Sequence, residues 1–194
     1  PTRRQRQMCI RDRFKTVFTN QLSKHSIMNV KPATFTLKKN VEIPNNNLTA
    51  HFPPAHLRDS ADKLLDKLEQ GGLIKKAPRV TSYKSKAFFK AKKNNEARLL
   101  VDYKASQVND LLERPNHPQF SVEQVIQQVK PGNEYFLSAD ITGAFFCHPL
   151  QEGPEGGDLT TFLTHRGKYF FTVLPQGCCV SQDFLGTTLS EALD

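Results

Sequence analysis

Residues 134–146 read EYFLSADITGAFF, and the reading of this stretch decides the fold. Tyr135, Phe136 and Leu137 form an apolar run suited to a buried strand, and Asp140 stands where that strand would leave the core. A carboxylate at a strand end can hold a hard cation such as magnesium, which takes one or two protein carboxylates and completes its shell with substrate phosphates. The plainer reading is a turn, with Asp140-Ile141-Thr142-Gly143 as a simple cap. Gly143 and Ala144 are small enough to let backbone N–H groups approach a triphosphate, as in an anion nest. Phe145 and Phe146 beside them are residues of a kind more often found in a core.

Toward the C-terminus, LTTFLTH (159–165) and KYFFTVL (168–174) read as a hairpin about Arg166-Gly167. Leu174-Pro175-Gln176-Gly177 comes next. A glutamine between proline and glycine is held on a constrained turn, its amide free to bond a base or sugar. A helix then begins near Ser181, with Phe184, Leu185 and Leu189 facing inward.

Toward the N-terminus, Ser121-x-x-Gln124 has capping-box spacing. The helix it opens places Val122, Val125, Ile126 and Val129 at i, i+3, i+4 and i+7, and Pro131-Gly132 stops it. Pro115 and Pro118 bracket a loop. Further upstream, KAFFK (86–90) and ARLLVDY (97–103) read as strands joined by an Asn-rich turn over 93–96. This hairpin carries Lys90, Lys92 and Lys93 near its tip and Arg98 on the returning strand. Lysine meets phosphate as a point charge and arginine as a bidentate fork, although most lysine clusters at hairpin tips are merely solvated. Leu57, Ala61, Leu64, Leu65 and Leu68 form one helical stripe, preceded by Pro53-Pro54 and closed by Gly71-Gly72. ATFTLKK (33–39) alternates as an extended segment would, and Pro44 with Asn45 to Asn47 marks a loop. Helices interleaved with hairpins make an α+β pattern. Neither an internal repeat nor a low-complexity tract interrupts it.

The 194 residues, 38% of them hydrophobic, suit one globular domain. No apolar run approaches the roughly 18 residues of a membrane span. Cys9, Cys147, Cys178 and Cys179 show no zinc-site spacing, which predicts free thiols in a reducing intracellular setting. Adjacent Cys178 and Cys179 read as packing residues in a turn. The net charge of +8 suggests a polyanionic partner, but PTRRQRQMCIRDR (1–13) supplies half of it. Arg3 to Arg13 can be back-translated into an adapter used in transposase-based sequencing libraries, so residues 1–13 are expected to be foreign to the fold. Without them 22 basic and 18 acidic residues leave +4, too little for charge alone to argue for nucleic acid.

Order and spacing carry more than any single block. A basic hairpin is followed about 40 residues later by D-x-x-G-A-F-F, and about 35 residues after that by L-P-Q-G. This sequence of motifs resembles the reverse transcriptase signature. SADITGAFF looks like the first palm motif, TVLPQG like the motif after it, ARLLVDYKASQVN like the fingers strand, and HFPPAHLRDSADKLLDKLEQGGLIKK like the helix before that strand. RPNHPQFSVEQVI and LTTFLTHRGKYFF look most like polymerases of gypsy-type LTR retrotransposons. The likeness is good over 50–194 and weaker over 14–50.

The resemblance implies a partial right-hand polymerase fold, fingers plus incomplete palm, belonging to an RNA-directed DNA polymerase that uses Mg2+ for two-metal nucleotidyl transfer. Asp140 then corresponds to the first catalytic, metal-binding carboxylate, with the Ile141 carbonyl beside it. Gly143 and Ala144 would face the triphosphate, and Phe145 would be the steric gate against a ribose 2′-OH. Arg98 matches the arginine gripping the nucleotide's phosphates, with Lys92 or alternatively Lys90 as its lysine partner. Gln176 would contact the nucleotide, and Leu100, Asp102 and Gly177 the template and primer. Implied partners are an RNA or DNA template with a DNA primer, deoxynucleoside triphosphates and the rest of a polyprotein, including remaining palm, thumb and RNase H. No membrane is involved, and the expected setting is a cytoplasmic particle or the nucleus.

One departure matters. The family's Tyr-x-Asp-Asp turn, which supplies the other two carboxylates, follows L-P-Q-G by some thirty residues, whereas only 17 positions follow Gly177 and no such turn occurs in the sequence. The expected organisation is 1–13 adapter translation, 14–50 lead-in, and 51–194 fingers and partial palm, truncated and inactive alone. The alternatives are a non-catalytic nucleic-acid-binding remnant of a decayed or co-opted element, and an unrelated basic α+β binding module.

Overall fold

The computed structural model describes residues 26–42, 48–77, 83–115, 117, 121–132 and 140–193. Residues 1–25 lie outside it, and so do most of the strand expected over 134–140 and the loop over 45–47.

Helix α1 (Arg58–Gln70) follows a single 3-10 turn over Ala55–Leu57. Its apolar stripe is the reason it holds: Leu57, Ala61, Leu65 and Leu68 are buried and Leu64 partly so. Each buried leucine contributes on the order of 2 kcal/mol through area removed from water. The double glycine ends the helix as a Schellman motif. Gly72 takes a φ of +70°, its N–H donates to the Glu69 carbonyl at 3.0 Å, and the Leu73 N–H donates to the Leu68 carbonyl at 2.9 Å.

Strand β1 (Ile74–Lys76) leaves directly from that cap. The expected hairpin is β2 (Ser85–Ala91) paired with β3 (Ala97–Asp102), in register Lys86↔Asp102 through Ala91↔Ala97. Short helix α2 (Val108–Leu111) follows, then α3 (Val122–Gln127) and α4 (Ala144–Cys147). The second hairpin, β4 (Phe162–Thr164) and β5 (Gly167–Phe171), turns at His165-Arg166 and pairs antiparallel. Leu159 and Thr160, read from the sequence as the start of that strand, instead belong to a 3-10 turn over Gly157–Thr160. Helix α5 (Ser181–Leu193) closes the described chain. Among the described residues the five strands join one sheet in the order β1-β5-β4-β2-β3, with β2 and β4 parallel.

Two apolar clusters meet at Val101. In the first, α1 packs on Ala87, Phe89, Phe162, Tyr169 and Phe171 of the sheet. Arg166 anchors the β4–β5 turn to α1 through Asp66 at 2.6 Å, and the Ser60 hydroxyl accepts the Ala97 N–H at 2.8 Å. The second cluster gathers Tyr103, Val108, Leu112, Leu150, Leu159, Leu174 and Leu185. The segment over 33–37 joins it by alternation, Ala33 and Phe35 buried, but it forms only isolated bridges to Leu150 and Leu112 and no strand. Phe184, Leu185 and Leu189 of α5 face this cluster, as their spacing predicts. Among the described residues no helix is long and apolar enough to cross a membrane.

Candidate functional site

The β2–β3 tip is a tight turn in which the Lys92 N–H donates to the Glu96 carbonyl at 2.8 Å and Asn95 takes a φ of +59°. Register places Lys90 opposite Arg98, so both lie on one face of the hairpin. Lys90 nevertheless sits over its own strand's Phe88 ring, 5.8 Å from the centroid. Lys92, one step beyond the strand, lines a cavity of about 440 Å³ together with Arg98, Gly143 and Gln176. Four sequence-predicted residues from three separate blocks thus share one concavity. Lys67 of α1 adds a further cation, while Leu64, Leu68, Leu99 and Phe146 supply apolar wall. A pocket that is mostly apolar with a few convergent cations suits a flat ring system bearing phosphates.

Gln176 reaches the cavity because the turn carrying it is pinned. Gly177 takes a φ of +89°, and a Cβ there would stand 3.3 Å from the Val101 carbonyl oxygen, so β3 and this turn approach closely only with glycine. The Ser181 hydroxyl donates to the Pro175 carbonyl at 2.8 Å, tying the turn to the first residue of α5. The Gln176 amide oxygen accepts from Arg98 Nη2 at 3.4 Å. Asp102 is otherwise engaged: its carboxylate accepts the N–H groups of Lys104 at 3.1 Å and Ala105 at 2.8 Å, closing its own turn. Leu100 is half-buried opposite Phe88.

Asp140 is exposed, and Ile141 is 41% exposed. Gly143 adopts a φ of +62° as it enters α4. Ala144 and Phe145 turn toward the second apolar cluster, whereas Phe146 lines the cavity and stacks on Phe171 with centroids 6.0 Å apart. Among the described residues no three His, Cys, Asp or Glu side chains come together as a metal site. Asp140 and the Ile141 carbonyl are hard oxygen donors of the kind magnesium takes, yet they fall short of its octahedral shell, the balance of which must come from other carboxylates, water or phosphate.

Burial sets the character of the groups around the site. His148 is 2% exposed; Nδ1 lies 2.9 Å from the Pro149 carbonyl oxygen and Nε2 2.9 Å from the Thr188 hydroxyl. Desolvation lowers its pKa, opposed by the bond to the Pro149 carbonyl, which accepts from Nδ1. Burial raises the Tyr103 phenol well above its ordinary value, and that hydroxyl donates to the Thr160 carbonyl at 3.2 Å. Cys147, Cys178 and Cys179 are free thiols. A hydrogen bond from the Cys178 thiol holds Cys179 below the usual thiol range, and Cys178 is correspondingly raised.

Lys67 and Asn109 were not marked by sequence, and Phe146 was noted only as the aromatic neighbour of Phe145. Helical spacing could have found Lys67, since it sits one turn on from Leu64 and beside Leu68. No local pattern announces Asn109. Its amide bridges the turn after Gln176, donating to the Gly177 carbonyl at 3.1 Å and accepting the Cys179 N–H at 2.9 Å.

No protein-family model matches the chain. It is 28% identical over 159 residues to the Pro-Pol polyprotein of feline foamy virus, an alignment spanning 81% of this chain and 12% of that protein. It is 31% identical over 106 residues to the retrovirus-related Pol polyprotein from transposon 412 of Drosophila melanogaster, spanning 52% and 8% of the two chains. The chain therefore covers only a small part of the length of the curated relatives it matches. Among solved structures it superposes on the foamy viral protease-reverse transcriptase in complex with dsDNA, with a TM-score of 0.75 at 16% identity over 97% of this chain and 38% of that one. The same enzyme in complex with RNA/DNA hybrid gives a TM-score of 0.74 at 15% identity over 97% and 24%. The fold is thus α+β and is that of part of a reverse transcriptase.

Proposed function

We propose that this chain is the fingers and first palm segment of an RNA-directed DNA polymerase from a retroelement polyprotein. One observation carries the reading: Lys92, Arg98, Gly143 and Gln176, far apart in sequence, line a single cavity with an apolar wall. In this account the cavity takes a deoxynucleoside triphosphate. Arg98 and Lys92 neutralise its phosphates, and Gln176 orients the sugar or base. Asp140 and the Ile141 carbonyl are the chain's contribution to a magnesium site, where the ion would neutralise the triphosphate and activate the primer hydroxyl. The wider partners are a primer and an RNA or DNA template, and the blocks RPNHPQFSVEQVI and LTTFLTHRGKYFF favour a gypsy-type LTR element. A role for Phe145 under the incoming sugar stays with the proposal. Phe146 is a second candidate for the gate because its ring faces the cavity.

The test is a titration of a fluorescent deoxynucleoside triphosphate, with Mg2+, onto the chain and its Arg98→Ala variant. A lost hydrogen bond to a charged group is worth about 1.5–3 kcal/mol, so binding should weaken by roughly ten- to a hundredfold. Equal affinity in the two, with the fold intact by circular dichroism, overturns the reading. Repeating the titration with the matched ribonucleotide on Phe145→Ala and Phe146→Ala identifies the gate by which variant loses sugar discrimination.

A further inference from the structure

Asn109 has no place among the ligand-facing residues, yet its side chain spends both ends of its amide on one short turn. Oδ1 accepts the Cys179 N–H at 2.9 Å, and Nδ2 donates to the Gly177 carbonyl at 3.1 Å. Its backbone is drawn into the same contact, the Asn109 carbonyl accepting from the Cys179 thiol at 3.4 Å. Asn109 is itself fixed, since its N–H donates to the Tyr103 carbonyl at 3.2 Å and its neighbour Val108 is buried. The turn over 175–179 is therefore held at one side by Ser181 on Pro175 and at the other by Asn109 on Gly177 and Cys179. Gln176 sits between the two anchors and lines the cavity.

We propose that Asn109 is a positioning residue that sets the turn after β5 and thereby aims Gln176 into the nucleotide cavity. The inference rests on the function proposed above for that cavity. Its chemistry is specific to asparagine. One group must accept and another donate, at a reach of two bonds beyond Cβ. Aspartate keeps the acceptor for Cys179 but sets a second oxygen against the Gly177 carbonyl. Alanine loses both bonds, and a hydroxyl side chain is too short to span them.

Two measurements test it. In amide hydrogen exchange by NMR, the Cys179 N–H should exchange about tenfold faster in Asn109→Ala than in the wild-type chain, in line with one lost hydrogen bond. Amides of α1 and the sheet should keep their protection, and Asn109→Asp should restore protection at Cys179. Unchanged exchange at Cys179, or a uniform loss across the sheet, overturns the positioning role. In nucleotide titrations, Asn109→Ala should weaken binding as Gln176→Ala does, and the double variant should be no weaker than Gln176→Ala alone. Additive losses overturn it, because Asn109 would then act by another route. If the wild-type chain binds no nucleotide while the exchange pattern holds, the reading of the cavity fails and Asn109 stands as the residue that sets the turn.

Discussion

Helices α1 and α3 carry similar signals in sequence and meet opposite fates. Both show apolar residues at helical spacing, and α3 has the better start: Ser121 Oγ accepts the Gln124 N–H at 3.3 Å while Gln124 Oε1 accepts the Ser121 N–H at 2.7 Å. Helix α1 has no side-chain cap at its N-terminus. Yet α1 buries Leu65 completely, whereas Val125, Ile126 and Val129 around α3 are 54%, 63% and 45% exposed. The helical spacing of Val125, Ile126 and Val129 is thus not accompanied by burial. Capping is a local transaction between neighbours in sequence, while burial needs a surface that arrives from elsewhere. The sheet provides that surface for α1, and no described residue covers the corresponding face of α3.

Three substitutions bear on this contrast. Leu65→Ala should cost about 3 kcal/mol, since it removes a fully packed side chain and leaves a cavity under α1. Urea unfolding measures it, and a loss under about 1 kcal/mol would mean that α1 is held by something other than its stripe. Ser121→Ala should cost about 1 kcal/mol, confined to α3, because it removes one cap bond. The readout is faster exchange of the Gln124 amide with the global unfolding midpoint nearly unmoved. Ile126→Ser should change stability by no more than about 0.5 kcal/mol, as for other exposed positions away from packed features. A cost near that of Leu65→Ala would break the comparison by revealing that α3 is covered in solution.

The candidate site divides along the same line. Lys92, Arg98, Gly143 and Gln176 were legible because hairpins, turn residues and small residues leave local signatures, whereas their sharing one cavity is a fact of the tertiary structure. Which aromatic ring of the Phe145-Phe146 pair faces the cavity was not legible. Adjacent residues on a short helix point about 100° apart, and only the packing of α4 against Phe171 selects Phe146. Sequence put Lys92 ahead of Lys90 as the lysine partner, and the structure sets Lys92 at the cavity while Lys90 lies over Phe88.

By itself the sequence determined the pieces: helix α1 with its glycine stop, the two hairpins, the capping box of α3 and the Pro-Gln-Gly turn. Each is a matter of side-chain period, backbone freedom or a hydrogen bond between residues a few positions apart. The tertiary structure alone decided that β2 and β4 run parallel within one sheet, that the segment over 33–37 bridges without pairing, and that Asn109 reaches across to clamp Gly177 and Cys179. Those outcomes join partners 68 or more residues apart in the case of the clamp and the β2–β4 pairing. They follow from which apolar surfaces must be covered at the same time, a condition that no local window of residues contains.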